Sequence, residues 1–91
     1  MLIVVVYDLS SEYASKVTKL CCKYGQRVQN SVFECQLDWS QYLELKAKLA
    51  SLIDKKQDSI IVYNLGNNFK DKIDIIGKQK TIYKQEDILI I

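Results

Sequence analysis

The chain contains no histidine and no proline among its 91 residues. Without histidine there is no imidazole to act as a general base or metal ligand, which excludes Ser-His and Cys-His catalysis. The absence of proline, with 48% hydrophobic and 26% charged residues, is typical of a folded globular domain rather than a disordered or collagen-like chain. The length predicts a single domain over residues 1–91, built around one small core.

Glycine and cysteine are also scarce, with three residues of each. The glycines are isolated, so the sequence has no glycine-rich phosphate loop. Cys21, Cys22 and Cys35 lack paired CxxC spacing, and an odd number suits a disulfide framework poorly, so we interpret them as small apolar groups in a reducing compartment. The N-terminal apolar run has no basic segment before it and is too short to span a bilayer. We therefore expect a cytoplasmic protein that makes no contact with a membrane.

Apolar patterns of strand length predict four β-strands, with a turn or bulge near Asn30 in the middle of the chain. The predicted strands are Leu2–Tyr7, Gln26–Gln29, Ser31–Leu37 and Ser59–Leu65. The segment 69–76 fits either a strand or a helical turn, and we favour a strand. A fully apolar tail, Ile88, Leu89, Ile90 and Ile91, is interpreted as one more strand.

Two amphipathic helices are predicted between these strands. The first can be capped by Ser10 or Ser11 and ends at Gly25. The second begins at Asp38, which has capping-box spacing to Gln41. The apolar stripes are Tyr13, Val17, Leu20, Cys21 and Tyr24 in the first helix, and Tyr42, Leu45, Leu49, Leu52 and Ile53 in the second.

The element order is β-α-β-β-α-β with an additional C-terminal strand, which predicts an α+β fold of the ferredoxin-like type. Two helices can cover only one face of its sheet, yet the first strand and the run Ile60, Ile61, Val62 are apolar on both faces. A sheet-to-sheet homodimer would cover the second face, and the tail Ile88–Ile91 could then add to the partner's sheet edge. The alternative is burial of the tail within its own chain.

The net charge of +2 is too small to indicate nucleic-acid binding, but its distribution is uneven. Between Tyr13 and Phe33 the charged residues are all basic; they are Lys16, Lys19, Lys23 and Arg27. These side chains fit a phosphate-binding surface, and the alternative is a solvated helix face. The aromatic-rich strands of RNA-recognition motifs, which share this topology, are absent.

Asp8 directly follows the first strand, a position where α/β proteins often place functional groups. It could serve only the turn or cap the first helix. Because hard cations prefer oxygen ligands, two copies of Asp8 in a symmetric dimer could instead hold one Mg²⁺ ion.

Several segments together resemble the CRISPR-associated protein 2 family: VVVYDLSS, GQRVQNSVFEC, YNLGNNF and a late IIG before an apolar end. The resemblance implies a ferredoxin-like homodimer in which both protomers contribute Asp8 as catalytic and metal residue, with Tyr7, Ser31 and Phe33 supporting the site. Relatives carry arginines near Ala14 and Lys16, where only the charge of Lys16 is kept here.

The resemblance also implies a function in CRISPR adaptation. One hypothesis is a Mg²⁺-dependent endonuclease that acts on double-stranded DNA or single-stranded RNA and works with the CRISPR-associated integrase. The second is a non-catalytic scaffold that binds duplex DNA and bridges integrase dimers. A third, a small-molecule regulatory domain of the same fold, leaves the basic zone without a purpose.

Overall fold

In the computed structural model, residues 1–78 and 89–90 are described. The regular elements, in chain order, are β1 (Leu2–Asp8), α1 (Ser11–Cys22), β2 (Gln26–Gln29), β3 (Val32–Gln36), α2 (Trp39–Leu52), β4 (Ser59–Gly66), a 3₁₀ turn (Lys70–Lys72), β5 (Asp74–Ile75) and β6 (Leu89–Ile90).

The main sheet has the strand order β2-β3-β1-β4, and every neighbouring pair is antiparallel. β1 is therefore central, with backbone hydrogen bonds to β3 on one side and to β4 on the other. The uninterrupted run of Leu, Ile, Val and Tyr in β1 suits a central strand, because the side chains of such a strand are largely buried. The predicted ferredoxin-like α+β arrangement, with two helices against a four-stranded antiparallel sheet, is confirmed.

The hydrophobic core lies between the two helices and one face of the sheet. Alternate residues of β1 and β3 point into it, as the period of two along a strand requires. Its buried residues are Ile3, Val5, Tyr7, Val17, Cys21, Phe33, Cys35, Leu37, Leu45 and Leu49.

The helix starts follow the sequence signals to different degrees. At α2 the capping box is present, since the Asp38 carboxylate accepts the Gln41 N–H at 2.8 Å and the Gln41 side chain accepts the Asp38 N–H at 3.0 Å. At α1 the N-cap is Ser10, as predicted, but its side chain makes no capping hydrogen bond.

After α1 the chain passes Gly25, where a β-carbon would overlap the backbone of Glu34 and Cys35. β3 can therefore approach closely only because this residue is glycine.

The second face of the sheet is partly covered by the chain itself. Leu2 is fully buried there in a small cluster with Phe69, Ile73 and Ile75. The preference for a strand throughout residues 69–76 is wrong, because the Lys72 N–H donates to the Phe69 carbonyl at 2.9 Å and closes a 3₁₀ turn. Only Asp74–Ile75 is strand. Ile73 and Ile75 pack onto Leu2 instead of extending the main sheet, whereas Ile76 is exposed.

At the other end of this face, Ile61 and Tyr63 remain 47% and 49% exposed within the single chain. They lie opposite Val6 and Val4 in the register of β1 with β4. This half of the face is thus an apolar surface without a cover among the described residues of the same chain.

The short C-terminal strand β6 pairs in parallel with β5, so that Leu89 is opposite Asp74 and Ile90 is opposite Ile75. Ile88 and Ile91 lie outside the described residues. The pairing of this tail with a second protomer stays a prediction.

The three cysteines divide into two environments. Cys21 and Cys35 are buried in the core, as interpreted from the sequence, whereas Cys22 is exposed, and all three are free thiols. Burial raises the pKa of the Cys21 thiol to about 12, with a further contribution from Cys35. Burial likewise raises the pKa of Cys35 to about 11, and the charge of Glu34 adds to the effect. Both thiols are therefore protonated and unreactive in the folded protein at neutral pH.

We predict that the folded state loses stability as the pH rises above about 9, the ordinary value of a thiol. The pKa of both thiols is raised on folding, so their contribution is complete below that pH and is lost as the pH rises toward the folded values. Each thiol can lower the free energy of unfolding by up to about 1.4 kcal/mol per pH unit in this window. Urea unfolding in reductant, at about pH 8, 9 and 10, measures the decline.

Two alanine variants separate the buried thiols from the other groups that titrate at alkaline pH. Cys21→Ala should decline less steeply than the wild type, because one of the raised thiols is gone. The exposed control, Cys22→Ala, should stay closer to the wild-type slope, because Cys22 makes only the smallest of the three contributions to the raised pKa of Cys21. Parallel declines in all three proteins would contradict the prediction.

Candidate functional site

Asp8 is the last residue of β1 and lies opposite Ser59, the first residue of β4; its side chain is exposed. The strand before it is held on both edges by the antiparallel ladders, so the position of its backbone is fixed. An exposed carboxylate at the end of a central strand can bind a cation or a hydrogen-bond donor from solution.

The residue before Asp8 is held from three directions. The Tyr7 N–H donates to the Ser31 carbonyl at 3.1 Å, and the Tyr7 hydroxyl is 2.7 Å from the Thr18 hydroxyl of α1. Its ring stacks on Phe33 with a centroid distance of 6.3 Å. The structure thus brings the predicted support residues Ser31 and Phe33 into contact with Tyr7, the residue that precedes Asp8. Thr18 joins them, and sequence reasoning missed it because its partner lies on another element.

A second missed residue is Asp58, which is buried in the loop before β4. Its Oδ1 accepts the Ser10 N–H at 3.0 Å, and its Oδ2 accepts the Asp54 N–H at 3.2 Å. One carboxylate therefore ties the loop that follows Asp8 to the loop that leaves α2. This contact holds the N-cap residue of α1 through its own N–H, although the side-chain cap of the helix stays absent. An aspartate in a polar loop gives no sequence signal for such a tether, because its partner Ser10 is 48 residues away in the chain.

Arg27 lies in β2 and is exposed, and its guanidinium folds back onto the turn between β2 and β3. Nε and Nη2 donate to the Asn30 carbonyl at 3.1 and 2.7 Å, and Nη2 also lies 3.4 Å from Asn30 Oδ1. Arg27 thus orders the turn near Asn30. Its Nη1 makes no hydrogen bond within residues 1–78, so one edge of the guanidinium can still receive a phosphate.

The lysines of the predicted basic zone are exposed along α1. Lys16, Lys19 and Lys23 follow one another at helical spacings of three and four residues, which places them on one side of the helix. In the part of the chain that the structure describes, none of them has a carboxylate partner; the ion pair found there joins Lys48 to Glu44. Their charges are available to an anion from solution.

One chain offers few side chains that could act as ligands to a metal ion. The described residues contain no group of three or more side chains from His, Cys, Asp and Glu that could hold one. Asp8 offers oxygen atoms of the kind that Mg²⁺ prefers, whereas both oxygens of Asp58 already accept backbone N–H groups. The donor chemistry fits Mg²⁺, but the number of ligands requires a second Asp8 or water.

Across residues 1–78 and 89–90, the helices are too short and too polar to cross a bilayer.

Comparison with known proteins gives a consistent result. The family described as "CRISPR associated protein Cas2" matches residues 1–73. The chain is 43% identical to the "CRISPR-associated endonuclease Cas2" of Halalkalibacterium halodurans, in a match that covers 98% of this chain and 99% of the relative. It is 40% identical to the "CRISPR-associated endoribonuclease Cas2" of Nitratidesulfovibrio vulgaris, with 100% of this chain and 94% of the relative covered.

Solved structures agree. The crystal structure of Streptococcus pyogenes Cas2 at pH 6.5 matches with a TM-score of 0.72 at 41% identity, and the match covers 85% of this chain and 100% of that one. A second crystal structure, titled "cas2", has a TM-score of 0.72 at 34% identity, with coverage of 93% and 95%.

We predict that Asp58→Ala loosens the loop that follows Asp8. Two partly buried backbone N–H groups lose their acceptor, which should lower the free energy of unfolding by about 1–3 kcal/mol and expose the amides of Ser10 and Asp54 to exchange. Hydrogen exchange followed by NMR measures both amides, and urea unfolding measures the stability.

Two further variants control this experiment. Asp58→Asn keeps one oxygen acceptor and should lose protection at one of the two amides. Asp71→Ala removes an exposed carboxylate and should change stability by no more than about 0.5 kcal/mol. Wild-type protection of Ser10 in Asp58→Ala would show that the carboxylate does not hold the loop.

Proposed function

Because the chain belongs to the Cas2 family of CRISPR-associated proteins, we propose that it is a Mg²⁺-dependent endonuclease that hydrolyses phosphodiester bonds in RNA or DNA during CRISPR adaptation. The observation that carries this proposal is the exposed Asp8 at the end of the central strand, fixed by Tyr7 on one side and by the Asp58 tether on the other. Relatives that match nearly the whole chain bear endonuclease or endoribonuclease names, which supports the same activity.

The proposed active form is a homodimer. One chain supplies a single exposed carboxylate at this position, so a symmetric pair is needed to present two Asp8 side chains to one ion. The half-exposed Ile61 and Tyr63 give the second copy an apolar surface to cover. Burying such side chains contributes about 1.5–3 kcal/mol each, which favours association through this face of the sheet.

In this proposal each residue has a limited task. Asp8 would hold Mg²⁺, which when bound neutralises phosphate charge and activates water for attack on phosphorus. Tyr7 and Phe33 keep the strand end in place by packing. Lys16, Lys19, Lys23 and the free edge of Arg27 bind the sugar-phosphate backbone and thereby set the position of the nucleic acid without reading its sequence.

A second candidate function is a non-catalytic scaffold that binds duplex DNA and bridges dimers of the CRISPR-associated integrase. The observation that favours it is the small number of metal ligands, since the second carboxylate near the strand end, Asp58, already accepts backbone hydrogen bonds. The exposed lysines of α1 would serve this function equally well, because backbone binding needs no catalytic group.

Asp8→Asn separates the two functions. The amide keeps the size of the side chain but carries no charge, so Mg²⁺-dependent cleavage of labelled RNA and DNA should fall by at least about 100-fold if the carboxylate holds the ion. Spacer acquisition in cells, measured with the same variant, tests the scaffold. Lost cleavage with intact acquisition favours the scaffold, and loss of both favours catalysis.

The comparison is valid only if the variant still forms dimers, which sedimentation or light scattering checks. Asp71→Asn is the matched control and should cleave as the wild type does, because its exposed carboxylate lies in the 3₁₀ turn. Wild-type cleavage by Asp8→Asn would remove Asp8 from the mechanism.

We also predict that the affinity for nucleic acid falls steeply with salt. Each phosphate contact contributes a slope of about 0.7–0.9 in log affinity against log salt, and this slope should decrease by that amount when one contacting lysine is replaced by alanine. Fluorescence anisotropy between about 50 and 200 mM salt gives the slopes. Lys16→Ala and Lys19→Ala are the test variants. Lys56→Ala, an exposed lysine on the loop after α2, is the control.

Arg27→Ala should reduce both the affinity and the slope, and should also loosen the turn at Asn30. Arg27→Lys restores the charge but not the paired hydrogen bonds to the turn, so it should recover the slope. An unchanged slope in both Arg27→Ala and Lys19→Ala would exclude the basic zone as the binding surface.

A further inference from the structure

An exposed tryptophan lines a cavity at the opposite end of the sheet from Asp8. Trp39, the single tryptophan of the chain, is the first residue of α2 and is 60% exposed. The cavity is a depression that is open to solvent, with a volume of about 590 Å³. β1 separates it from Asp8 by roughly 20 Å, the length of a seven-residue strand. Its lining residues are Met1, Gln36, Leu37, Asp38, Trp39 and Asn67.

The position of the Trp39 indole is fixed by its neighbours in α2. The capping box of Asp38 and Gln41 fixes the first turn of α2. Tyr42 packs against Trp39 in a tilted arrangement with a centroid distance of 5.4 Å, and the Lys46 ammonium lies 5.0 Å from the Tyr42 ring centre. An aromatic ring that is held in place while exposed is a surface on which another planar group can stack at little entropic cost.

Polar groups around the ring are available for hydrogen bonding. The side-chain amides of Gln36 and Asn67 and the indole N–H make no hydrogen bond to any residue among those that the structure describes. Each amide offers both donors and an acceptor. A stacking ring bordered by such groups suits a flat heterocycle that carries donors and acceptors at its edge. The Asp38 carboxylate and the Met1 ammonium, which donates to the Leu37 carbonyl at 2.7 Å, both belong to the lining, so the charge of the cavity is mixed.

We propose that this cavity binds an unpaired nucleobase, which stacks on Trp39 while its edge meets Gln36 and Asn67. The adjoining phosphate of the same strand lies toward Lys46, seven residues further along α2 and about 10 Å along its axis. Lys46 has no carboxylate partner among residues 1–78. The inference rests on the proposed binding of nucleic acid, and it adds that a single-stranded segment or unpaired end is engaged far from Asp8. Stacking on an aromatic side chain is a common means of holding unpaired bases.

Because Trp39 is the single tryptophan, its fluorescence reports on this site alone. The wild-type protein is titrated at low salt with three oligonucleotides of equal charge: a duplex with a single-stranded overhang, the same duplex with an abasic overhang, and a blunt duplex. We expect strong quenching by the overhang that carries bases and little by the other two. Equal quenching by the abasic overhang or the blunt duplex would overturn the proposal, because neither offers an unpaired base.

Affinities of labelled oligonucleotides for variants test the contacts. Trp39→Ala should bind the base-carrying overhang about tenfold more weakly and bind the blunt duplex as the wild type does, because one stacked base is lost. Trp39→Phe keeps a smaller ring and should lose less. Gln36→Ala and Asn67→Ala should each weaken overhang binding several-fold. Leu43→Ala, another exposed apolar residue on α2, is the matched control and should leave both affinities unchanged.

The failures of the two proposals are distinguishable. If the wild type binds none of the oligonucleotides at low salt, the proposed nucleic-acid function fails, and this inference with it. If binding persists and depends on Lys16 and Lys19 while Trp39→Ala and Trp39 fluorescence show no response, this inference alone is overturned. A blue shift of Trp39 emission that grows with protein concentration in the absence of nucleic acid would assign the surface to a protein contact and equally overturn it.

Discussion

The structure depends on β1 being the central strand of an antiparallel sheet. Both of its edges are hydrogen-bonded, to β3 and to β4, and alternate side chains of the strand enter the helix-covered core. A strand held in this way cannot slide by one residue without moving its core side chains to the other face. Asp8 is exposed at the end of this strand, so the most strongly fixed backbone of the domain carries the residue proposed to bind the metal.

The loops around that strand end are stabilised by polar contacts that cross the fold. Asp58 accepts N–H groups from the loop after β1 and from the loop after α2, and the Tyr7 hydroxyl contacts Thr18 of α1. A buried carboxylate is costly unless it is hydrogen-bonded, so Asp58 is stable only when both loops are in place. Because both oxygens of Asp58 accept backbone N–H groups, Asp58 is not a free ligand beside Asp8, and the proposed metal site calls for a ligand from a second chain.

The two proposed contact surfaces lie on different elements, which suits a long ligand better than a small one. The lysines of the basic zone lie along α1 and at its C-cap, and Arg27 lies in β2, whereas Trp39 begins α2 at the end of β1 that is opposite to Asp8. Phosphate binding by lysines tolerates any sequence, and stacking on a tryptophan tolerates any base. Both proposed contacts therefore recognise the form of a nucleic acid rather than its sequence.

The sequence alone determined the elements that depend on local patterns. The apolar run of β1, the stripes of α1 and α2 and the Asp38–Gln41 capping box each predict a structure from neighbouring residues, and the folded protein contains them. Tertiary structure alone decided what depends on distant partners: the tether from Asp58 to Ser10, the return of Arg27 onto its own turn, and the packing of Ile73 onto Leu2. The physical reason is that hydrophobic periodicity is a property of neighbouring residues and can be seen in the sequence. A hydrogen bond or an apolar contact between remote residues exists only once folding has brought both partners together.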